Sequence, residues 1–193
     1  MTFIRLHRIA GLLVAFILSL AACTPAADTV ADTDTKVRVD ERMATDISPT
    51  DAFTEDSIGS TKIGDTFDLR KLNRVDDNFE NCFFAENSAI PTVNYLIVND
   101  KVAKITTSDS NVASSTGVRV GDSLSEITSK HQNRTPEIVD SPFSPIDSKL
   151  ITMYYWTVQE GQRVGTRYDL LNEKVISISI GNDDSLMSQE GCA

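Results

Sequence analysis

An internal repeat is the sequence feature that most constrains the fold. Residues 63–66 (IGDT) recur as residues 120–123 (VGDS), and residues 95–102 (YLIVNDKV) recur as residues 168–175 (YDLLNEKV). The interval between the two landmarks is longer in the second copy. Since a repeated landmark predicts a repeated supersecondary unit, we expect the chain to build the same unit twice.

The Gly-Asp landmark predicts the start of a helix in each copy. Asp65 and Asp122 stand at N-cap positions, where a carboxylate accepts hydrogen bonds from free backbone N–H groups and favours the helix dipole. Ser123 and Glu126 add the spacing of a capping box in the second copy. A short helix is therefore predicted after each landmark.

The second landmark predicts a hairpin turn in each copy. Residues 99–100 (ND) and 172–173 (NE) each separate two runs that favour strands, and Asn tolerates the positive φ of a tight turn. After the second turn, isoleucines alternate with serines over residues 176–180, as in a strand with one buried face. Further strands are predicted over residues 82–86 and 150–158.

Together these elements predict an α+β fold made of two tandem repeats. Each repeat is a short helix followed by a three-stranded antiparallel meander, and the helices pack on one face of the sheet. We expect repeat 1 over residues 58–112 and repeat 2, with a C-terminal tail, over residues 113–193. Both repeats are expected to form one folded unit.

The first 22 residues have the three regions of a secretory signal. Arg5 and Arg8 precede an apolar run over residues 9–20, which is shorter than the roughly 20 residues that cross a bilayer as a helix. The run ends in residues 20–23 (LAAC), which resemble the lipobox of bacterial lipoproteins. This resemblance implies cleavage before Cys23, a diacylglycerol on its thiol and an acyl chain such as palmitate on its amino group.

Two lipid signals anchor a protein stably to a membrane, whereas a single chain does not. Because Thr24 stands where an Asp would resemble the inner-membrane retention signal, we expect an outer-membrane location, on the periplasmic or the surface face. Residues 23–57 are rich in Ala, Thr and Asp and show no apolar periodicity, so they predict a disordered acidic tether.

The charge of the chain restricts its partners. The net charge is −10, and removal of residues 1–22 takes away Arg5 and Arg8 but no acidic residue, which leaves −12. Nucleic acid is therefore excluded as a partner, and a basic protein is favoured. Contact with the membrane is expected only through the N-terminal lipid.

The cysteines divide into one lipidated residue and one pair. With Cys23 assigned to the lipid, Cys82 and Cys192 remain as an even pair in an oxidising compartment. We predict a disulfide between them. It closes a loop of roughly 110 residues, which the chain-entropy model values at about 4.7 kcal/mol as an upper figure.

No catalytic constellation stands out in the sequence. His131 is the only histidine after the predicted signal, so a Ser/His/Asp triad could be built only around it. It follows the predicted second helix, where a solvated cation on the helix dipole is the ordinary explanation. The assigned cysteines leave too few ligands for a zinc site. We therefore expect no enzyme activity, no cofactor and no metal.

The best candidate for a binding surface lies on the strand predicted over residues 150–158. Its candidate residues are Met153, Tyr154, Tyr155 and Trp156. Alternation sends Tyr154 and Trp156 to one face and the other two to the opposite face, and one of these faces must be core. The other would present aromatic side chains of the kind that anchor protein contacts. Three arginines are candidates for its rim: Arg119, Arg163 and Arg167.

The predicted helix-and-meander repeat resembles a known fold. It is similar to the tandem-repeat fold of secreted β-lactamase-inhibitor-like proteins, and one repeat resembles the small lipoprotein subunit of the outer-membrane β-barrel assembly machinery. This resemblance covers residues 58–180 and implies a protein that binds proteins. We therefore expect a lipid-anchored envelope lipoprotein that serves as a protein-binding or assembly module. Two alternatives stay open: an inhibitor of a cationic hydrolase such as lysozyme, and a carboxylate-dependent cell-wall hydrolase.

Overall fold

The structure is a computed structural model that describes residues 52–75, 81–141, 144–145, 148–159, 161–189 and 191–192. All of these residues belong to one compact unit, residues 43–193. The predicted signal peptide, Cys23 and the tether up to residue 51 lie outside the described residues.

The described residues contain ten strands and two helices. The strands are β1 (Ser57–Ile58), β2 (Thr61–Lys62), β3 (Asn73–Arg74), β4 (Cys82–Asn87), β5 (Ile90–Val98), β6 (Lys101–Thr107), β7 (Glu137–Asp140), β8 (Leu150–Gln159), β9 (Gln162–Leu171) and β10 (Lys174–Asn182). The helices are α1 (Leu124–Lys130) and α2 (Asp183–Met187).

Eight of the strands form a single antiparallel sheet in the order β3-β4-β5-β6-β10-β9-β8-β7, while β1 and β2 pair only with each other. The last strand of the first meander, β6, pairs with the last strand of the second, β10, and places Ile105 opposite Ile180. The two meanders therefore join at the centre of the sheet, and their earlier strands lie towards its two edges.

The predicted α+β class is wrong, because the protein is mostly β and built on this one large sheet. No helix follows Asp65: the Phe67 N–H donates instead to the Asp100 carbonyl at 2.9 Å, and Thr66 forms a bridge with Lys101. Leu69, which a helix would have turned inward, is 72% exposed. The only helix that forms where one was predicted is α1, which is too short to serve as a layer on the sheet.

The Gly-Asp landmarks nevertheless adopt the same local structure in both copies, as a turn rather than as an N-cap. Three hydrogen bonds of the first copy recur in the second. In the first copy, the Lys62 N–H donates to the Asp65 carboxylate (2.9 Å), the Gly64 N–H to the Val102 carbonyl (2.8 Å) and the Val102 N–H to the Asp65 carbonyl (2.9 Å). In the second copy, the Arg119 N–H donates to the Asp122 carboxylate (2.9 Å), the Gly121 N–H to the Val175 carbonyl (2.8 Å) and the Val175 N–H to the Asp122 carbonyl (2.9 Å). Both glycines have positive φ, which explains the residue type. The N-cap of α1 is Ser123, whose capping box with Glu126 is confirmed.

Both predicted hairpins are confirmed. Asn99 and Asp100 connect β5 to β6 with φ of 49° and 59°, and Asn172 and Glu173 connect β9 to β10 with φ of 50° and 64°. Positive φ at both central residues defines the turn whose twist matches antiparallel strands.

The core lies on one face of the sheet, which we call the inner face. Its strand residues include Tyr95, Ile97, Ile105, Met153, Tyr155, Tyr168, Leu170, Ile178 and Ile180. Residues outside the sheet that pack on this face include Phe53, Ile58, Leu72, Val112, Val118 and Ile127. Phe53 belongs to the range predicted as tether, so ordered packing begins before residue 58.

The opposite, outer face carries the C-terminal segment, which we define as residues 183–189 and 191–192. Leu186 of α2 is fully buried on it, above Gly181, where an added Cβ would lie 2.7 Å from the Ala103 carbonyl oxygen. The predicted disulfide between Cys82 and Cys192 is confirmed, with 5.4 Å between the Cα atoms. The segment thus runs from the central strand β10 and is fixed covalently to β4.

Candidate functional site

The structure decides which face of β8 is core. Met153 and Tyr155 are buried in the core cluster, while Tyr154 and Trp156 lie on the outer face. Tyr154 is also buried, and Trp156 is only partly so. Of the four candidate binding residues, Trp156 is therefore the one that reaches solvent.

Trp156 is held in one orientation by contacts with four neighbouring residues. Its ring stacks on Tyr154 with 5.3 Å between centroids and 6° between planes. The Arg163 guanidinium lies 4.1 Å from the ring centroid, and the indole N–H donates to the Glu137 carboxylate at 2.9 Å. On the neighbouring strand, Gly165 leaves room for the ring, since a Cβ there would lie 2.6 Å from its Cε3 atom.

Arg163 ties three elements together beside this ring. Its guanidinium pairs with Glu137 of β7 at 3.1 Å and with both carboxylate oxygens of Asp183 in α2, also at 3.1 Å. Because the side chain is 42% exposed, these ion pairs contribute little to stability. Their effect is to orient the guanidinium over the indole, where it adds a cation–π contact.

One exposed apolar side chain, Val158, lies beside the indole on the same face, and a second, Val139, lies further along this face opposite Thr152. Val158 is 72% exposed and pairs across strands with Arg163, and Val139 of the edge strand β7 is 38% exposed. We define the Trp156 surface as Glu137, Val139, Trp156, Val158 and Arg163. The sequence prediction missed Glu137, Val139 and Val158, although the β-branched pair at residues 138–139 is a weak signal for β7.

Only one of the three predicted rim arginines belongs to this surface. Arg167 is largely buried: it pairs with Asp169 at 2.9 Å, donates to the Leu186 carbonyl at 2.9 Å and so holds the C-terminal segment. Arg119 donates instead to the carbonyls of Ser110 and Asn111, in the loop after β6.

His131 is not the solvated cation that its sequence position predicted. It is 3% exposed, stacks on Tyr155 at 3.6 Å and 10°, and places Nε2 2.8 Å from the Tyr168 hydroxyl and 3.1 Å from that of Thr116. Burial, followed by the charge of Arg134, lowers the pKa of the ring to about 4. The backbone of His131 is the C-cap of α1, as its place in the sequence predicted. Its side chain, however, packs into the core against Tyr155 and Tyr168.

Within the described ranges, no three His, Cys, Asp or Glu side chains come together as ligands for a metal ion. None of the helices described here has the length and hydropathy needed to cross a membrane.

Comparisons with known proteins find no matching family model, no matching curated protein and no matching solved structure. The resemblance to inhibitor-like and assembly-lipoprotein folds stays a prediction.

Proposed function

We propose that the protein is a lipid-anchored envelope protein that binds another protein through the Trp156 surface. The observation that supports this most is a partly exposed Trp fixed between a stacked Tyr and an Arg. Trp, Tyr and Arg are the residues that dominate binding energy at protein interfaces. We propose the lipid anchor from residues 20–23 (LAAC), and the outer-membrane location from Thr24, which stands where an Asp would resemble the retention signal.

The fixed geometry of Trp156 favours binding because it reduces the entropy lost on association. A mobile aromatic side chain must be ordered when a partner docks, which costs free energy. The hydrogen bond to Glu137 fixes the ring before any partner binds, and Gly165, which has no Cβ, leaves room for the ring in that position. The exposed Val158 beside it offers an apolar contact to a partner.

Charge indicates the chemistry of the partner. Carboxylates in the elements beside the Trp156 surface include Glu137 of β7, and Asp183 and Asp184 of α2. Arg163 pairs with two of them, and the chain as a whole is acidic, with a net charge of −10. The partner we propose is a basic envelope protein that places an apolar side chain on Val158 beside Trp156.

The surface does not suit the carboxylate-dependent hydrolase. Glu137 and Asp183 are the carboxylates that converge here, and one guanidinium binds both of them. Because both carboxylates pair with Arg163, they orient this guanidinium and are not available as the general acid and the general base of a glycan hydrolase.

Copurification from gently solubilised envelopes tests the proposal. The wild type should bring down a stoichiometric basic protein by mass spectrometry, and Trp156→Ala and Val158→Asp should lose it. Val158 is exposed, so its substitution should leave the melting temperature unchanged. Leu69→Ala is the matched control, since it removes an equally exposed apolar side chain elsewhere.

The proposal fails if all four proteins bring down the same partners, or if none brings down any. Recovery of an envelope hydrolase with lysozyme-like activity, inhibited by the wild type and not by Val158→Asp, would assign the same surface to an inhibitor.

A further inference from the structure

A separate cavity lies on the outer face of the first meander, beside the C-terminal segment. Its volume is about 270 Å³, close to the lower end of the roughly 300–1,000 Å³ of small-molecule sites. Strands β4, β5 and β6 form its floor, and Gln189 and Gly191 form a wall. It shares no residue with the Trp156 surface.

The register of the sheet gives the floor one apolar row that ends in a cation. Phe84 pairs with Leu96, and Leu96 pairs with Lys104, so these three side chains stand side by side on the outer face. Asn94 and Thr106 form the next row in the same way. The cavity therefore combines an apolar surface, one ammonium group and neutral hydrogen-bonding groups.

Lys104 is buried to an extent that is unusual for lysine. It is 9% exposed, and its ammonium donates to the Ser188 carbonyl at the long distance of 3.4 Å. Three N–H groups are available on the ammonium, so this bond does not saturate it. A buried cation is costly unless an anion or several acceptors compensate it.

In the described part of the chain, the carboxylate that acts on Lys104 is Asp169, and it is committed to other groups. Asp169 accepts hydrogen bonds from Thr152 at 2.7 Å, from Arg167 at 2.9 Å and from Ser177 at 2.8 Å. Burial, and then the charge of Arg167, lowers the pKa of the Lys104 ammonium, while Asp169 opposes this effect. Among the described residues no carboxylate forms an ion pair with Lys104, and its hydrogen bond is the long one to Ser188.

The wall of the cavity is placed firmly. Gly191 has φ of +67° and packs on Phe84 so closely that an added Cβ would lie 2.7 Å from the ring. The adjacent Cys192 is bonded to Cys82, and Arg167 holds Leu186. The cavity is thus a built feature of the C-terminal segment.

We infer that this cavity binds a small carboxylate with an apolar body. The carboxylate accepts from the Lys104 ammonium, the apolar body packs on Phe84 and Leu96, and the amides of Asn94 and Gln189 lie within the cavity to orient the ligand. This site goes beyond the proposed protein-binding function and does not depend on it.

Titration of the full-length chain with sodium hexanoate tests the inference. Calorimetry and the amide shifts of Gln189 and Gly191 should both report saturable binding. Acetate, which lacks the apolar body, and 1-hexanol, which lacks the charge, should bind at least ten times more weakly. Lys104→Met should weaken hexanoate binding at least tenfold, while Lys101→Met, an exposed lysine on the same strand, should leave it unchanged.

A second variant separates ligand binding from folding. Asn94→Trp fills the cavity from an exposed position, keeps Lys104 and should abolish the hexanoate shifts without lowering the melting temperature. The inference is overturned if hexanoate fails to saturate, if 1-hexanol binds equally well, or if folded Lys104→Met or Asn94→Trp retains wild-type affinity.

Discussion

Acidification should destabilise the fold through His131 at a pH where few other groups change their charge. The folded-state pKa of this ring is about 4, against 6.5 for an ordinary histidine. The unfolded chain therefore takes up the proton first as the pH falls. The sign follows: the free energy of unfolding is unaffected by this group above pH 6.5, falls between 6.5 and 4, and levels off below 4.

The size of the effect follows from the same two values. Within this window the free energy of unfolding falls by about 1.4 kcal/mol for each pH unit. The loss relative to neutral pH is therefore about 2 kcal/mol at pH 5 and reaches about 3 kcal/mol near pH 4. A domain of this size has roughly 5–15 kcal/mol of stability in total, so the loss is measurable. The ring is 3% exposed, so solvent does not screen the penalty.

Carboxyl groups whose pKa is lowered in the folded state change stability only at lower pH, so their effect can be separated from that of His131. Arg70 lowers the pKa of Asp68 to about 2, and Ser123 lowers the pKa of Glu126. These groups lose their contribution only as the pH falls through their ordinary values of 3.8 and 4.5 and towards the folded ones. The interval from pH 7 to pH 5 therefore isolates the histidine.

Urea unfolding at pH 7 and pH 5, with the wild type and His131→Gln side by side, measures the effect. The wild type should lose about 2 kcal/mol more than the variant between the two pH values. Proton NMR of the ring should show a midpoint near pH 4 in the folded protein, assigned by its absence in the variant. Equal losses in the two proteins, or a ring that titrates near 6.5, would refute the reasoning.

Three further substitutions have expected outcomes. Replacing Cys82 and Cys192 together by Ser should lower stability by up to about 4.7 kcal/mol in urea unfolding, because an open chain gains entropy when it unfolds; a loss under about 1 kcal/mol would contradict that account. Gly165→Ala should cost about 1–3 kcal/mol and shift the Trp156 fluorescence maximum, since its Cβ overlaps the indole ring; an unchanged spectrum would show that the ring is not confined. Ser123→Ala should cost about 1 kcal/mol by removing the capping box of α1, and an unchanged melting temperature would count against it.

The features that the sequence predicted correctly depend on local or countable signals. The turns at residues 99–100 and 172–173 follow from the conformational preference of Asn, and alternation along β8 separated Tyr154 from Tyr155. The bridge between Cys82 and Cys192 followed from counting cysteines. None of these predictions needs a contact between distant strands to be known in advance.

The features that were missed depend on long-range pairing. No helix forms after Asp65 because the Phe67 N–H donates to the Asp100 carbonyl, which follows β3, β4 and β5 in the sequence. His131 turns inward because Tyr155 and Tyr168 arrive from β8 and β9. The sequence shows these residues, but not the register that brings them together.

The cavity that contains Lys104 also depends on long-range strand pairing. Phe84, Leu96 and Lys104 are far apart in the chain and become one row only when β4, β5 and β6 pair. In the sequence, Lys104 is one of the two lysines on β6, so nothing marks it as buried.

Site-specific photocrosslinking in intact cells tests the central claim most directly. A photoreactive amino acid placed at Val158 lies on the Trp156 surface, and one placed at Leu69 is equally exposed elsewhere. The account predicts one discrete adduct with a basic envelope protein at position 158, lost when Trp156→Ala is added, and no such adduct at position 69. The absence of an adduct at 158, or the same adduct at both positions, would contradict it.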